Sequence, residues 1–334
     1  MSFFEFLSDQ WKALPLLITE EACMGRTFIV TGGAGGLGFE AARHLARRRA
    51  AKVIIAVRRM DAGEEAKRKI EREFGCKNVE VWKLDLCDFD SVKAFAKQVT
   101  QQLDRLDAVI ANASVALDSY SVGARGHEET VVINVLATYL LAVLLHPKLR
   151  QTASKFKTNT YLSIVASETA FFSVSKKELL RILDAPLKSL DDKNIADMSA
   201  RYPLSKLLQV LVARQLAQLL PVERTGVVIN YLNPGLCKTA LSKKSSMKTQ
   251  IILGIMKALV ARTAEVGCRN LLYAVVAGEK SHGRYISNCE VEEDRVPMWI
   301  TEADGLRHQQ LIYDAVAEEL DQIEPGCVQT ALNG

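Results

Sequence analysis

The sequence predicts an α/β fold: a doubly wound parallel sheet with helices on both faces, in a single domain. Three observations predict it. Short apolar runs alternate strictly with longer stretches of helical period. The runs are apolar at successive positions, as strands covered on both faces require. The first run also meets its helix through a glycine-rich turn, Thr31-Gly32-Gly33-Ala34-Gly35-Gly36-Leu37-Gly38. A glycine turn between a strand and a helix is the setting in which such a motif binds phosphate.

The elements follow in order. Residues 27–30 read as the first strand, and the helix after the glycine turn carries an apolar face through 39–46. A second strand at 52–57 precedes a charged surface helix at 61–74. A third strand at 79–84 leads to a helix at about 89–103, and a fourth at 106–111 leads to a long helix at about 128–149. Residues 160–165 form the fifth strand, 202–219 a helix and 226–232 the sixth strand. No Pro- or Ser-rich linker divides the chain. Residues 1–25 read as an N-terminal arm, 26–290 as the main domain and 291–334 as a helical tail packed on it. The polar run 242–249 and apolar helix 251–260 suit a lid over substrate, within a region of about 236–260.

Bulk composition narrows the classes. The 334 residues are 49% hydrophobic and 25% charged, ordinary globular values. Net charge is +4, from 43 basic and 39 acidic residues. That balance argues against a nucleic-acid partner. The cysteines are scattered, with no C-x-x-C pair, and read as reduced thiols of a cytoplasmic protein. The histidines form no cluster, so no metal site is expected. The arm carries Phe3, Phe4, Phe6, Leu7, Trp11, Leu14, Leu16 and Leu17. Either it packs on the body of the domain or it touches an intracellular membrane surface. The apolar stretch 131–145 contains Asn134 and Thr138 and is too short to span a bilayer. It serves the core or a homodimer interface.

The strand ends carry the chemistry, because ligands of such sheets bind there. Glycines let a phosphate approach bare backbone, and the helix start offers unpaired N–H groups. This assigns Gly32, Gly35, Gly36, Leu37 and Gly38 to a nucleotide cofactor. The second strand ends in Arg58 and Arg59, where an acid would select NAD and an arginine suits the 2′-phosphate of NADP(H). Tyr202 and Lys206, at i and i+4, share one helix face, which brings ammonium near phenol. A phenol so tuned can exchange a proton with an alcohol oxygen near neutral pH. Two serines could assist: Ser163 lies inside the fifth strand, Ser167 just past its end. The cleft faces the strand end, which favours Ser167. Asn134, alone in an apolar helix, is either a satisfied core amide or a site residue.

The order of these motifs resembles the short-chain dehydrogenase/reductase family over residues 26 to about 287. Thr31, Gly32, Gly36 and Gly38 are similar to its cofactor turn, and Asn112-Ala113-Ser114 to its Asn-Ala-Gly with serine in the last place. The wider pattern is similar to the retinol-dehydrogenase-like branch, especially fungal members. The resemblance implies a Rossmann-type fold binding NADP(H), with Asp85 and Leu86 at the adenine. It places Asn112 and Ala113 beside the cofactor, and Pro234, Gly235 and Thr239 at the nicotinamide amide. It implies an oxidoreductase moving hydride between nicotinamide and a carbonyl or alcohol carbon of a small apolar substrate, such as a secondary-metabolite ketone or aldehyde. Tyr202 is then the acid/base, Lys206 tunes it and holds the ribose, and Ser167 orients the substrate oxygen. Asn134 holds a water linking to the lysine. The alternative is a fold turned to isomerisation, cyclisation or cofactor-bound regulation. The insert 168–201 assigns Phe171 and Phe172, with Leu236 and Met247 beyond it, to an apolar pocket or to core, and its polar remainder to a surface loop.

Overall fold

The computed structural model describes residues 3–239, 254 and 258–333. Its centre is an eight-stranded sheet in the order β3-β2-β1-β4-β5-β6-β7-β8. The strands are β1 (Thr27–Thr31), β2 (Lys52–Val57), β3 (Val79–Lys83), β4 (Ala108–Ala111), β5 (Thr160–Val165), β6 (Val227–Leu232), β7 (Tyr285–Ser287) and β8 (Glu290–Val291). The first seven run parallel, and β8 returns antiparallel to β7. The strand order reverses between β1 and β4, which opens a crevice at their carboxyl ends.

Alternate side chains of each strand enter opposite layers. Phe28, Val30, Val53 and Ile55 pack with the helices Gly36–Arg47, Met60–Phe74 and Ala264–Ala274. Ile29, Ile54, Val109, Leu162 and Ile164 pack with Phe89–Gln102, Glu129–Phe156 and Met198–Leu219. The helix Glu129–Phe156 is long and apolar enough to cross a membrane, yet 89% of its apolar window is buried inside the protein. Its apolarity serves the core. One turn of it, Val132–Ala137, is π-helical.

The insert is not the polar surface loop expected. It folds into three short helices, Thr169–Phe172, Lys176–Leu180 and Pro186–Asp191. Ser175 and Glu178 cap the second of these reciprocally. Leu179 and Leu190 then each bury one apolar side chain against the main core. His127 holds the insert to the C-terminal helix Ala303–Ile323, with one ring nitrogen 2.6 Å from Asp191 and the other 3.2 Å from Glu319.

The helix carrying Tyr202 also starts earlier than its sequence suggests. Asp197 caps it by accepting the Ser199 N–H at 2.9 Å, so Pro203 falls inside the helix. The tail joins the same apolar layer through Ile312, Val316, Leu320 and Val328.

The arm packs on the body. Its helix, Phe3–Trp11, buries Phe6, Asp9 and Gln10. The extended stretch after it buries Leu14 and Ile18, and the Leu14 and Ile18 carbonyls accept bonds from Arg269 and Arg48. Met247 and most of the expected lid lie outside the described residues.

Candidate active site

The first wall of the crevice is the glycine turn. Gly32 and Gly36 adopt left-handed backbone, with φ of 67° and 55°. A Cβ on Gly38 would stand 2.6 Å from the Gly32 carbonyl oxygen, so only glycine lets helix and turn touch there. Gly35, the N-cap of the helix behind it, is extended backbone beside open space and has no side chain of its own to cap that helix. Its first N–H groups therefore face the crevice with their dipole. Leu37 follows in the first turn, half-buried.

Across the reversal, Asn112 fastens β4 to β1. Its side chain donates to the Thr31 carbonyl at 2.8 Å, while the Thr31 hydroxyl accepts the N–H groups of Asn112 and Ala113, each at 2.9 Å. Arg58 stands exposed at the end of β2. Asp85 and Leu86 follow β3: the Asp85 carboxylate accepts the Cys87 N–H at 3.0 Å, and Leu86 is buried.

The second wall carries the titratable groups. Ser163 is buried inside β5, where it pairs across to Ile110 and Asn230. Ser167, past the strand end, lies close enough to the Tyr202 phenol to lower its pKa. Its oxygen also accepts from the Thr169 hydroxyl at 3.0 Å. Lys206 is 1% exposed, with Nζ 5.6 Å from the centre of the Tyr202 ring. That ammonium donates to the Val165 carbonyl at 2.7 Å and to Gln209 Oε1 at 2.9 Å.

The electrostatics differ from the tuning anticipated. Burial pushes the Tyr202 phenol well above its ordinary value, the Ser167 side chain pulls it back, and the Cys237 thiol adds to the rise. Burial alone brings Lys206 down to about 7. In the protein alone the phenol is therefore neutral at pH 7, and the lysine is far easier to deprotonate than a lysine in water.

Asn134 is fully buried and its side chain is fully hydrogen-bonded within the protein. Its Oδ1 accepts the Val115 N–H at 2.9 Å, and its Nδ2 donates to the Val115 carbonyl and to Ser205, each at 2.9 Å.

The third wall is the turn after β6. Pro234 is followed by left-handed Gly235 (φ 79°), whose N–H donates to the Asn233 side chain at 3.0 Å. Thr239 approaches the glycine turn: a Cβ on Gly36 would stand 3.3 Å from its methyl. The arm also reaches this turn. Gln10 donates to the Leu236 carbonyl at 3.1 Å and accepts its N–H at 3.2 Å. Arg262 donates to the carbonyls of Pro234, at 3.3 Å, and Asp9.

Comparison with known proteins agrees with this architecture. The family model of the short chain dehydrogenases matches residues 26–157. A short chain dehydrogenase/reductase of Cryptosporiopsis sp. is 40% identical over 325 residues, covering 96% of this chain and 97% of that one. A short-chain dehydrogenase of Penicillium roqueforti is 33% identical, covering 98% and 85%. The chain belongs to the short-chain dehydrogenase/reductase family. Among solved structures, a short-chain dehydrogenase of Escherichia coli complexed with NADPH superposes with a TM-score of 0.58 at 20% identity, covering 81% of this chain and 99% of that one. Another, from Sphingobium yanoikuyae in complex with NADPH, gives 0.53 at 18% identity, covering 74% and 83%.

As a short-chain dehydrogenase/reductase, the chain is an oxidoreductase by family. Ser114, its departure from the Asn-Ala-Gly pattern, sits half-buried after β4. Phe171 is a core residue stacked edge-on against Tyr285, whereas Phe172 is 48% exposed and meets Phe6 of the arm.

The sequence reading missed Gln209, Gln10, Arg262 and Glu168. Gln209 carried a visible signal, an amide in an apolar helical run, the same signal that singled out Asn134. Glu168 follows Ser167, is 4% exposed and hydrogen-bonds Asn233. Burial and the nearby Asp9 carboxylate raise it to about 7, against the pull of Arg262, Asn233 and Arg295. A carboxyl raised from 4.5 to about 7 leaves the folded state holding an extra proton between those values. Stability therefore falls as pH rises through that window and is flat above it. In Glu168→Gln this slope is lost, measured as melting temperature against pH from 4.5 to 8. An unchanged slope would remove Glu168 as its source.

Proposed function

We propose that the protein is an NADP(H)-dependent oxidoreductase acting on a carbonyl or alcohol of a small apolar substrate. The observation that carries this reading is convergence. Ser167, Tyr202 and Lys206 line one side of the crevice, and the helix start at Gly36 faces it from the other. The glycine turn fits a dinucleotide: Gly38 permits the close helix–turn contact, and the open space at Gly35 leaves room for phosphate.

Gly32, Gly35, Gly36, Leu37 and Gly38 would hold the pyrophosphate, and Arg58 the 2′-phosphate. Asp85 and Leu86 would meet the adenine. Asn112, Ala113, Pro234, Gly235 and Thr239 would line the nicotinamide end, with Tyr202 and Lys206 at the ribose. Bound there, the cofactor supplies the hydride. The chain supplies the proton and the geometry. Ser167 donates a hydrogen bond to the substrate oxygen and holds it beside Tyr202. Tyr202, protonated at neutral pH, gives its phenolic proton to that oxygen in reduction and recovers it in oxidation. Lys206 places a cation beside the phenol, and its charge favours the phenolate left behind. Residues 26–290 form the catalytic body, with arm and tail packed on it.

The test is NADPH consumption, followed by absorbance with a panel of ketones and aldehydes. Arg58→Ala is expected to weaken NADPH binding by about tenfold to a hundredfold, the worth of charge-assisted bonds to phosphate, and to leave NADH binding unchanged. Equal weakening of both cofactors would remove Arg58 from the 2′-phosphate. A protein binding neither nucleotide would end the reading.

A further inference from the structure

One buried side chain in this site has no part in the scheme above. Gln209 lies one turn after Lys206 and is 1% exposed. Its Oε1 accepts from Lys206 Nζ at 2.9 Å, and its Nε2 donates to the main-chain carbonyl of Asn134 at 2.5 Å. The partners fix which end of the amide is which. An ammonium can only donate and a carbonyl can only accept, so the flipped amide would oppose donor to donor and acceptor to acceptor. The backbone is held as well, since the Gln209 carbonyl accepts the buried Tyr139 hydroxyl. The receiving carbonyl belongs to the π-helical turn, where the regular α-helical ladder is interrupted.

We propose that Gln209 is the positioning residue of Lys206, its own amide joining the lysine to the Asn134 carbonyl of the π-helical turn. An ammonium has three N–H donors. The Val165 carbonyl takes one and Gln209 takes another, which aims the third. The inference rests on the reading of Lys206 as part of a hydride-transfer site. Among the described residues no carboxylate pairs with Lys206, so the amide dipole is the adjustable part of what keeps it charged. Burial has already brought the lysine to about 7, so losing an acceptor there decides its protonation at working pH.

Two variants separate the roles. Gln209→Leu removes the acceptor and fills the space. The Lys206 titration is then expected to fall by about one pH unit, and the alkaline limb of kcat/KM to move down with it. Gln209→Glu places a carboxylate there, so both are expected to move up. The titration is read directly by carbon NMR of protein labelled with 13C-lysine, without nucleotide, the signal being assigned by its loss in Lys206→Met. Opposite shifts in Leu and Glu support the bridge, since mere loosening of the fold would not reverse sign. Coincident titrations in wild type, Leu and Glu overturn it, as does Gln209→Leu with a wild-type pH profile. If the unmodified protein consumes no NADPH, the functional reading fails while the NMR titrations still decide the role of Gln209.

Discussion

Tyr202→Phe is expected to lose turnover by about 10²–10⁴-fold while binding NADPH as the unmodified protein does. The substitution removes one oxygen and keeps the ring, so packing beside Lys206 survives. What goes is the proton donor. That phenol, raised by burial above its ordinary value, is neutral at pH 7, the form needed to protonate a substrate oxygen, and Ser167 lies beside it. Ser167 keeps Thr169 as a partner, so the loop after β5 stays in place. Single-turnover absorbance gives the rate and fluorescence titration gives the affinity. A variant turning over near the wild-type rate would remove Tyr202 from the chemistry. Parallel loss of binding would make it a cofactor support instead.

Gly38→Ala is expected to cost NADPH affinity by about a hundredfold, the scale of effect that a displacement near 1 Å produces in a positioned site. The added methyl would meet the Gly32 carbonyl at 2.6 Å and Asn112 Nδ2 at 2.7 Å. Neither can retreat cheaply. One is backbone of the phosphate turn, and the other is held by the Thr31 carbonyl at 2.8 Å. The helix must move off the turn, at a stability cost of about 1–3 kcal/mol for overpacking. Gly35→Ala is the control for stability alone, since in the protein its Cβ meets open space and its backbone is extended. Nucleotide titration of Gly38→Ala and thermal unfolding of both variants give the answer. Equal losses of stability at the two positions would mean that the crowding at Gly38 is not what matters.

Most of the sheet could be read from the chain because its strands are covered on both faces. The first six are apolar-rich runs interrupted by residues such as Glu80, Ser163 and Asn230, and the glycine turn marks where the first meets its helix. Strands β7 and β8, with three and two residues, are too short to show any period. The insert escaped for a related reason. Its helices have four to six residues, and Lys176–Leu180 and Pro186–Asp191 each bury a single leucine, so polarity outweighed the pattern. The nearness of Tyr202 to Lys206 was legible in their spacing, and the structure brings the two together. The electrostatics around them were not legible. Spacing places an ammonium near a phenol but says nothing of burial, which here moves the phenol up and the lysine down.

The docking of the arm also bears on how the molecule is made. Asp9 pairs with Arg295, and Gln10 with the backbone of Leu236, so this helix finds its seat only once segments 286 and 226 residues further along have been made. Without those segments Phe6, Leu14 and Ile18 lose part of their cover and present apolar surface, a natural handle for a chaperone. The crevice is thus completed by parts of the chain that lie far apart in sequence.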